Sequence, residues 1–75
     1  MLTSYMQGDH AAAVTPSDTD TFTPSIVQCG GAGTVNITDA FGANTQYTVV
    51  AGGVVPVLCT KVRTGGTATA IVRSW

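Results

Sequence analysis

Reactive side chains are few in this chain, and their spacing does not assemble a catalytic group. His10 has one adjacent acid, Asp9, and the candidate nucleophiles Ser4 and Ser17 lie in a polar segment with nothing to hold them rigid. Nucleophilic catalysis needs a nucleophile, a base and a group that orients the base, all in fixed geometry. The sequence therefore predicts no catalytic residues and no enzymatic activity.

The acidic residues do not form a metal-binding motif. Asp9 and His10 alone would leave most coordination positions of a metal empty. Asp18 and Asp20 lie among threonines, where aspartates usually cap turns, and the sequence has no Asp-x-Asp-x-Asp-Gly calcium loop. A symmetric ring could still bring copies of His10 or Asp39 together around an axis with an ion or water. For the single chain we predict no metal site and no cofactor.

The two cysteines, Cys29 and Cys59, leave two redox states open. A disulfide would close a loop of about 30 residues and contribute about 3 to 4 kcal/mol. The sequence shows no secretion signal, however, and thiols in reducing cytosol usually stay free and pack as small hydrophobic groups. We favour free thiols, with the disulfide as the alternative.

The charge of the chain excludes several classes of partner. Three Lys and Arg against four Asp give a net charge of -1, so no basic stripe is present and we predict no nucleic-acid binding. The glycine cluster Gly30–Gly33 lacks the lysine and the following helix of a phosphate-binding loop. We expect no signal peptide and no transmembrane segment, and hence no association with a membrane. Lys61 and Arg63 share a strand face, and we expect a carboxylate such as Asp39, or a neighbour's chain terminus, as their partner.

The aromatic residues allow two interpretations. Phe22, Phe41, Tyr47 and Trp75 could line a sugar-binding face, which would make the chain a small carbohydrate-binding module. The alternative is that they are the bulky core or interface residues of a small domain, with Phe41 folded back onto the core. We favour the second interpretation, because the whole chain has only five aromatic residues.

Composition predicts an all-β fold. Thr, Val and Ile make up 26 of the 75 residues, and Glu is absent. Branching at Cβ suits a pleated surface, while the usual exposed helix formers are nearly missing. Glycine-containing turns separate five predicted strands, and Pro56 argues for an edge position or a bulge in the fourth. We predict a small five- to six-stranded antiparallel sandwich or open barrel. The predicted strands are Ser25–Cys29, Thr34–Asp39, Thr45–Val50, Val54–Arg63 and Thr67–Trp75.

The first third of the chain has a different character. Residues 1–24 contain a Ser, Thr, Asp and Pro cluster without the periodicity of a core element, which predicts an extended arm ahead of a β domain at 25–75. We expect the arm to lie across a neighbouring subunit or a larger shell, since a small domain offers it little to bury against. The alternative is that it packs back on its own sheet as an edge strand.

Three segments resemble the small head spike base proteins of tailed phages and phage-like gene transfer agents. They are VTPSDTDTF at 14–22, GGAGTVNI at 30–37 and VAGGVVPVLCTKVRTGGTATAIVRSW at 50–75, so the resemblance covers most of the chain. Gly66 departs from the family pattern, which often has Thr there, and the strand at 25–29 is more polar than usual. The positions that match the family pattern are Ala51, Gly52, Pro56, Val57, Thr64, Gly65, Thr67, Ala68, Thr69, Ile71 and Trp75.

The resemblance implies a non-enzymatic virion protein on the capsid surface, assembled in the host cytoplasm. Its expected partners are further copies of itself, in a ring or trimer with a pentamer favoured, the major capsid protein and a spike fibre that it can carry. A capsid decoration (cement) protein and a tail component are the alternatives of the same class. The carbohydrate-binding module remains the alternative of another class.

Overall fold

The computed structural model of the chain describes residues 10–75, in which every regular element is a β-strand. The strands form two antiparallel sheets, so the predicted all-β antiparallel sandwich is confirmed. In chain order the strands are β1 (Ala11–Ala13), β2 (Ile26–Gly31), β3 (Gly33–Asp39), β4 (Asn44–Val49), β5 (Gly53–Val54), β6 (Cys59–Arg63) and β7 (Thr69–Ser74).

Sheet A has the strand order β1-β7-β2-β5, and sheet B has the order β4-β3-β6. Their facing sides enclose one apolar core, as alternation along the strands requires. Val35 and Ile37 of β3 are buried, as their spacing predicts. The buried apolar residues are Val27, Cys29, Val35, Ile37, Val49, Val55, Cys59, Val62 and Ile71.

The strand count differs from the prediction for two reasons. Pro56 lies in an irregular loop that divides the predicted strand Val54–Arg63 into β5 and β6, because proline has no N–H for a ladder. The chain changes sheets at this loop, since β5 belongs to sheet A and β6 to sheet B. The second extra strand, β1, comes from the segment predicted as an arm.

Residues 10–24 lie along the chain's own sheets. Strand β1 pairs with β7, and the Val14 N–H then donates to the Ile71 carbonyl at 2.9 Å. The chain next crosses to sheet B, where the N–H groups of Ser17 and Phe22 donate to β6 carbonyls, both at 2.8 Å. For these residues the alternative interpretation is therefore the correct one, because the exposed sides of β7 and β6 offer unpaired backbone groups. Residues 1–9 of the predicted arm lie outside the described residues.

The turn between β6 and β7 requires glycine at two consecutive positions. Gly65 has a φ of +97°, and a Cβ on Gly66 would lie 2.5 Å from the Thr34 carbonyl oxygen. The backbone of Thr67 and Ala68 donates to that same oxygen at 2.9 and 2.8 Å. A side chain at position 66 would therefore require the backbone around Thr34 to shift.

Candidate interaction surface

The outer face of sheet A has no charged residue. The pairing register places Ala13, Val72, Gln28 and Val54 in one row across its four strands. Val54 is 52% exposed and Val72 is 39% exposed, although both are apolar. The residues of this face are Ala11, Ala13, Ile26, Gln28, Gly30, Val54, Ala70, Val72 and Ser74.

The apolar surface continues from this face around one end of the sandwich. Ile26 and Val54 line a groove of about 230 Å³ together with the loop between β5 and β6. A second groove, of about 330 Å³, adjoins it and is lined by Leu58 and Phe41. The Ala40 N–H donates to the Leu58 carbonyl at 3.0 Å and fixes the two loops together. We call the set Val54, Ile26, Pro56, Leu58 and Phe41 the apolar band.

Phe41 is the most exposed residue of the apolar band, at 99%, so the prediction that it folds back onto the core is wrong. The turn that carries it explains the difference. The Asp39 carboxylate accepts hydrogen bonds from the N–H groups of Phe41 and Ala43 at 2.9 and 3.0 Å. Gly42 follows with a φ of +91°. This tight turn holds Phe41 at its tip, with the side chain in solvent.

The outer face of sheet B is polar and is tied together by its own side chains. The Gln46 amide donates to Asn36 Oδ1 at 2.9 Å, and Asn36 Nδ2 donates to the Thr64 carbonyl at 2.9 Å. In the next row the Thr38 hydroxyl donates to Asn44 Oδ1 at 2.6 Å. Lateral bonds of this kind satisfy the polar groups without a partner molecule.

Asp18, rather than the predicted Asp39, is the carboxylate close to the cations of β6. Its oxygens accept from the N–H and hydroxyl of Thr64 at 3.0 and 2.9 Å, and Lys61 donates to its carbonyl at 3.1 Å. The hydrogen bonds from Thr64 lower the pKa of the Asp18 carboxyl, and the charges of Arg63 and Lys61 lower it further. Asp18 therefore fastens the segment before β2 to the turn between β6 and β7.

The aromatic side chains within residues 10–75 do not share one face. Arg73 lies between two rings, with its guanidinium carbon 3.6 Å from the Trp75 ring centre and 4.7 Å from that of Phe22. His10 stacks on Trp75 with 5.4 Å between ring centres, and Tyr47 packs against the core. With Phe41 at a turn tip, a flat sugar-binding platform is not formed by these residues.

Cys29 and Cys59 are free thiols buried in the core, and neither has any exposed surface. Burial raises the pKa of both, and for Cys59 the nearby Asp39 and Cys29 also contribute and bring the pKa to about 11. Both side chains are therefore protonated at neutral pH and serve as small core residues, in agreement with the favoured interpretation.

Ser17, the remaining candidate nucleophile that the structure describes, has a structural role. Ser17 accepts hydrogen bonds from the N–H groups of Thr19 and Asp20 at 3.2 and 3.1 Å, which is a turn contact. Asp9 and Ser4 lie outside the described residues. Within residues 10–75 the acidic, cysteine and histidine side chains form no group of three or more that could hold a metal, and no helix there is long and apolar enough to cross a membrane.

Comparison with solved structures gives an informative similarity. No protein-family model matches the sequence, and no curated protein matches it significantly. Among solved structures, the chain is similar to a chain in the capsid of a native GTA (gene transfer agent) particle computed with C5 symmetry, with a TM-score of 0.79 and 28% sequence identity. The alignment covers 100% of this chain and 92% of the other. This similarity supports a phage-like, capsid-associated protein, in agreement with the class of protein that the sequence resembles.

Proposed function

We propose that the chain is a non-enzymatic structural subunit of a phage-like virion, namely the oligomeric base of a head spike or fibre on the capsid surface. One observation carries the proposal. The chain aligns over its entire length with a component of a gene transfer agent capsid at 28% identity, with the same fold. An alignment that covers 100% of this chain and 92% of the other favours a subunit of the same kind.

The apolar band supports permanent association. Isolated exposed valines are common on monomers, but here Val54 belongs to an apolar surface that includes Leu58 and Phe41. Large continuous apolar surfaces mark sites of protein association. We assign this band to contact with the major capsid protein. Of the predicted anchoring arm, only residues 1–9 remain as a proposal, because residues 10–24 lie along the chain's own sheets.

A pentameric ring is the proposed oligomer. The similar particle was computed with fivefold (C5) symmetry, which agrees with a ring of five subunits at a capsid vertex. A chain of this length gains little from its own core, because a small domain buries a smaller fraction of its surface than a large one. Contacts with further copies supply additional buried area.

The proposal is tested by the location of a tagged chain in purified particles. Host cells that produce the particle express the chain with a carboxyl-terminal epitope tag, and the particles are purified by density gradient. We expect the tag to sediment with the particles, and immunogold labelling to mark head vertices. Label spread over the whole shell would indicate a decoration (cement) protein, and label on tails would indicate a tail component. Either would overturn the proposed spike base.

A matched pair of variants tests the apolar band. Leu58→Asp places a charge in the band, and we expect it to reduce particle-bound tag at least tenfold. Val50→Asp is the control, because Val50 is 74% exposed and lies in the turn at the opposite end of the sandwich. Equal loss in both variants would contradict the assigned surface. A wild-type chain that stays off the particles and binds a glycan column would instead favour the carbohydrate-binding module.

A further inference from the structure

Strand β4 is an open edge of sheet B. It pairs with β3 through all six of its residues, Asn44–Val49, and no other strand lies on its far side. The opposite edge of the sheet is covered, because Ser17, Phe22 and Ser25 donate backbone hydrogen bonds to β6. Within residues 10–75 the chain thus protects one edge of sheet B and leaves the other open.

The backbone groups that β4 presents can be identified from its pairing. The Asp39 N–H donates to the Ala43 carbonyl, and bonded and non-bonded pairs alternate along an antiparallel ladder. Thr45, Tyr47 and Val49 are therefore bonded to β3. The N–H and C=O groups of Asn44, Gln46 and Thr48 point away from the sheet, as available donors and acceptors.

Nothing in the sequence of β4 blocks these groups. Free edges are normally protected by charges, prolines, bulges or short length. Strand β4, with the sequence NTQYTV, has no charge and no proline, and the bulge of sheet B lies between β3 and β6 instead. The side chains of Asn44 and Gln46 are held over the outer face by their bonds to Thr38 and Asn36. The edge is thus clear for a further strand.

Strand β1 is a complementary open edge on sheet A. The bonds His10–Trp75 and Val14–Ile71 extend its pairing with β7 to five residues, close to the six of β4. By the same alternation, the backbone groups of Ala11 and Ala13 point outward. Both side chains are small, exposed and uncharged, so they offer no obstacle to a second strand.

We infer that β4 of one copy pairs with β1 of a second copy, so that a continuous ladder joins sheet B of one subunit to sheet A of the next. The inference rests on the proposed function, which requires an oligomer. The two edges are different surfaces, so each copy can pair with one neighbour through β4 and with another neighbour through β1. Such a heterologous contact can close into a ring, whereas pairing of β4 with β4 would stop at a dimer.

Two proline variants remove the two edges separately. Gln46→Pro deletes an outward N–H of β4, and Ala13→Pro deletes an outward N–H of β1. Neither N–H takes part in the chain's own ladders, so each fold should be retained, as circular dichroism and thermal unfolding can verify. We expect purified wild-type protein at micromolar concentration to sediment as a closed oligomer. Each variant should sediment as a 7.6 kDa monomer.

Mixing the two variants gives the sharpest test. Gln46→Pro keeps a working β1, and Ala13→Pro keeps a working β4, so an equimolar mixture can form one contact and no ring. We expect a 1:1 heterodimer at twice the monomer mass. A folded Ala13→Pro that still dimerises alone would indicate β4–β4 pairing and overturn the inference. If removal of residues 1–9 abolishes the oligomer while β1 stays intact, the strand that pairs with β4 would be residues 1–9 of the second copy. That result would also overturn the inference.

The particle assay separates failure of this inference from failure of the proposed function. If wild type and Gln46→Pro both bind particles with equal copy number, the proposed function stands and the strand-pairing inference fails. A wild type that is monomeric in solution is tested again on the particle. There Thr48→Cys and Ala11→Cys are introduced together in a Cys29→Ser and Cys59→Ser background, and a crosslink between copies would support the inference. A monomer in solution without this crosslink would end it. Absence of the wild type from particles would refute the proposed function itself.

Discussion

The outer face of sheet A is made mainly of alanine, valine, isoleucine and glycine, with Gln28 and Ser74 as its polar residues. The outer face of sheet B is made of threonine, asparagine and glutamine, with Lys61 and Arg63 at its border. The polar groups of sheet B bond to one another. The apolar groups of sheet A have no partner within residues 10–75, although Val54 and Val72 are substantially exposed. One face is complete in the single chain, and the other gains stability only when something covers it.

The largest expected effect comes from the core that both faces share. Ile37 has no exposed surface and lies between the two sheets. Ile37→Ala should lower the free energy of unfolding by about 2 to 5 kcal/mol, because it removes buried apolar area and leaves a cavity. Urea denaturation followed by circular dichroism and by Trp75 fluorescence should show one shared transition. Two separate transitions would mean that the faces belong to independently stable units.

A pair of surface variants separates the two faces directly. Asn36→Ala removes two lateral hydrogen bonds of sheet B and should cost about 1 kcal/mol of stability, without change in particle binding. Val72→Ser should change stability by less than about 0.5 kcal/mol, as for other surface positions, but weaken particle binding severalfold. Denaturation and particle co-sedimentation measure the two quantities. If Asn36→Ala also lost particle binding, the contrast between the faces would be wrong.

A substitution on sheet A should increase stability. Ala70 has a φ of +52°, in the left-handed region that favours glycine. Ala70→Gly should stabilise the protein by about 1 kcal/mol, because it relieves this strain. The control is Ala13→Gly, where the backbone is an ordinary strand and glycine should destabilise by about 0.5 to 1 kcal/mol. Thermal unfolding shows whether each variant is more or less stable than wild type. Equal destabilisation by the two substitutions would contradict the backbone conformation described for Ala70.

The smallest expected effect is a pH dependence at the border of sheet B. Hydrogen bonds from Thr64 hold the pKa of Asp18 below its ordinary value of 3.8. A lowered pKa contributes stability that is present above 3.8 and is lost as the pH falls through the pKa of the folded state. Wild type should therefore lose slightly more stability than Asp18→Asn between pH 5 and pH 3. Identical pH profiles would show that Asp18 does not hold the segment before β2.

Several features of the fold were predictable because they depend on local chemistry. The alternation of Val35 and Ile37 with polar residues identified β3, and the Thr-Gly-Gly-Thr segment identified the turn before β7. The position of Phe41 was not predictable from hydrophobicity alone, because the turn built by Asp39 overrides the tendency to bury a large ring. The path of residues 10–24 was not predictable either, because backbone hydrogen bonds to sheet edges and the Asp18 contacts to Thr64 hold much of this polar segment.

The sequence by itself determined the class of the fold, the interior side of β3 and the absence of a basic surface, because these follow from side-chain branching, period-two alternation and charge count. Only the tertiary structure decided that Val54, Ile26, Pro56, Leu58 and Phe41 form one band. It also decided which edges are covered. Both depend on the pairing register between strands far apart in the chain, and a shift of one residue would turn every side chain to the other face.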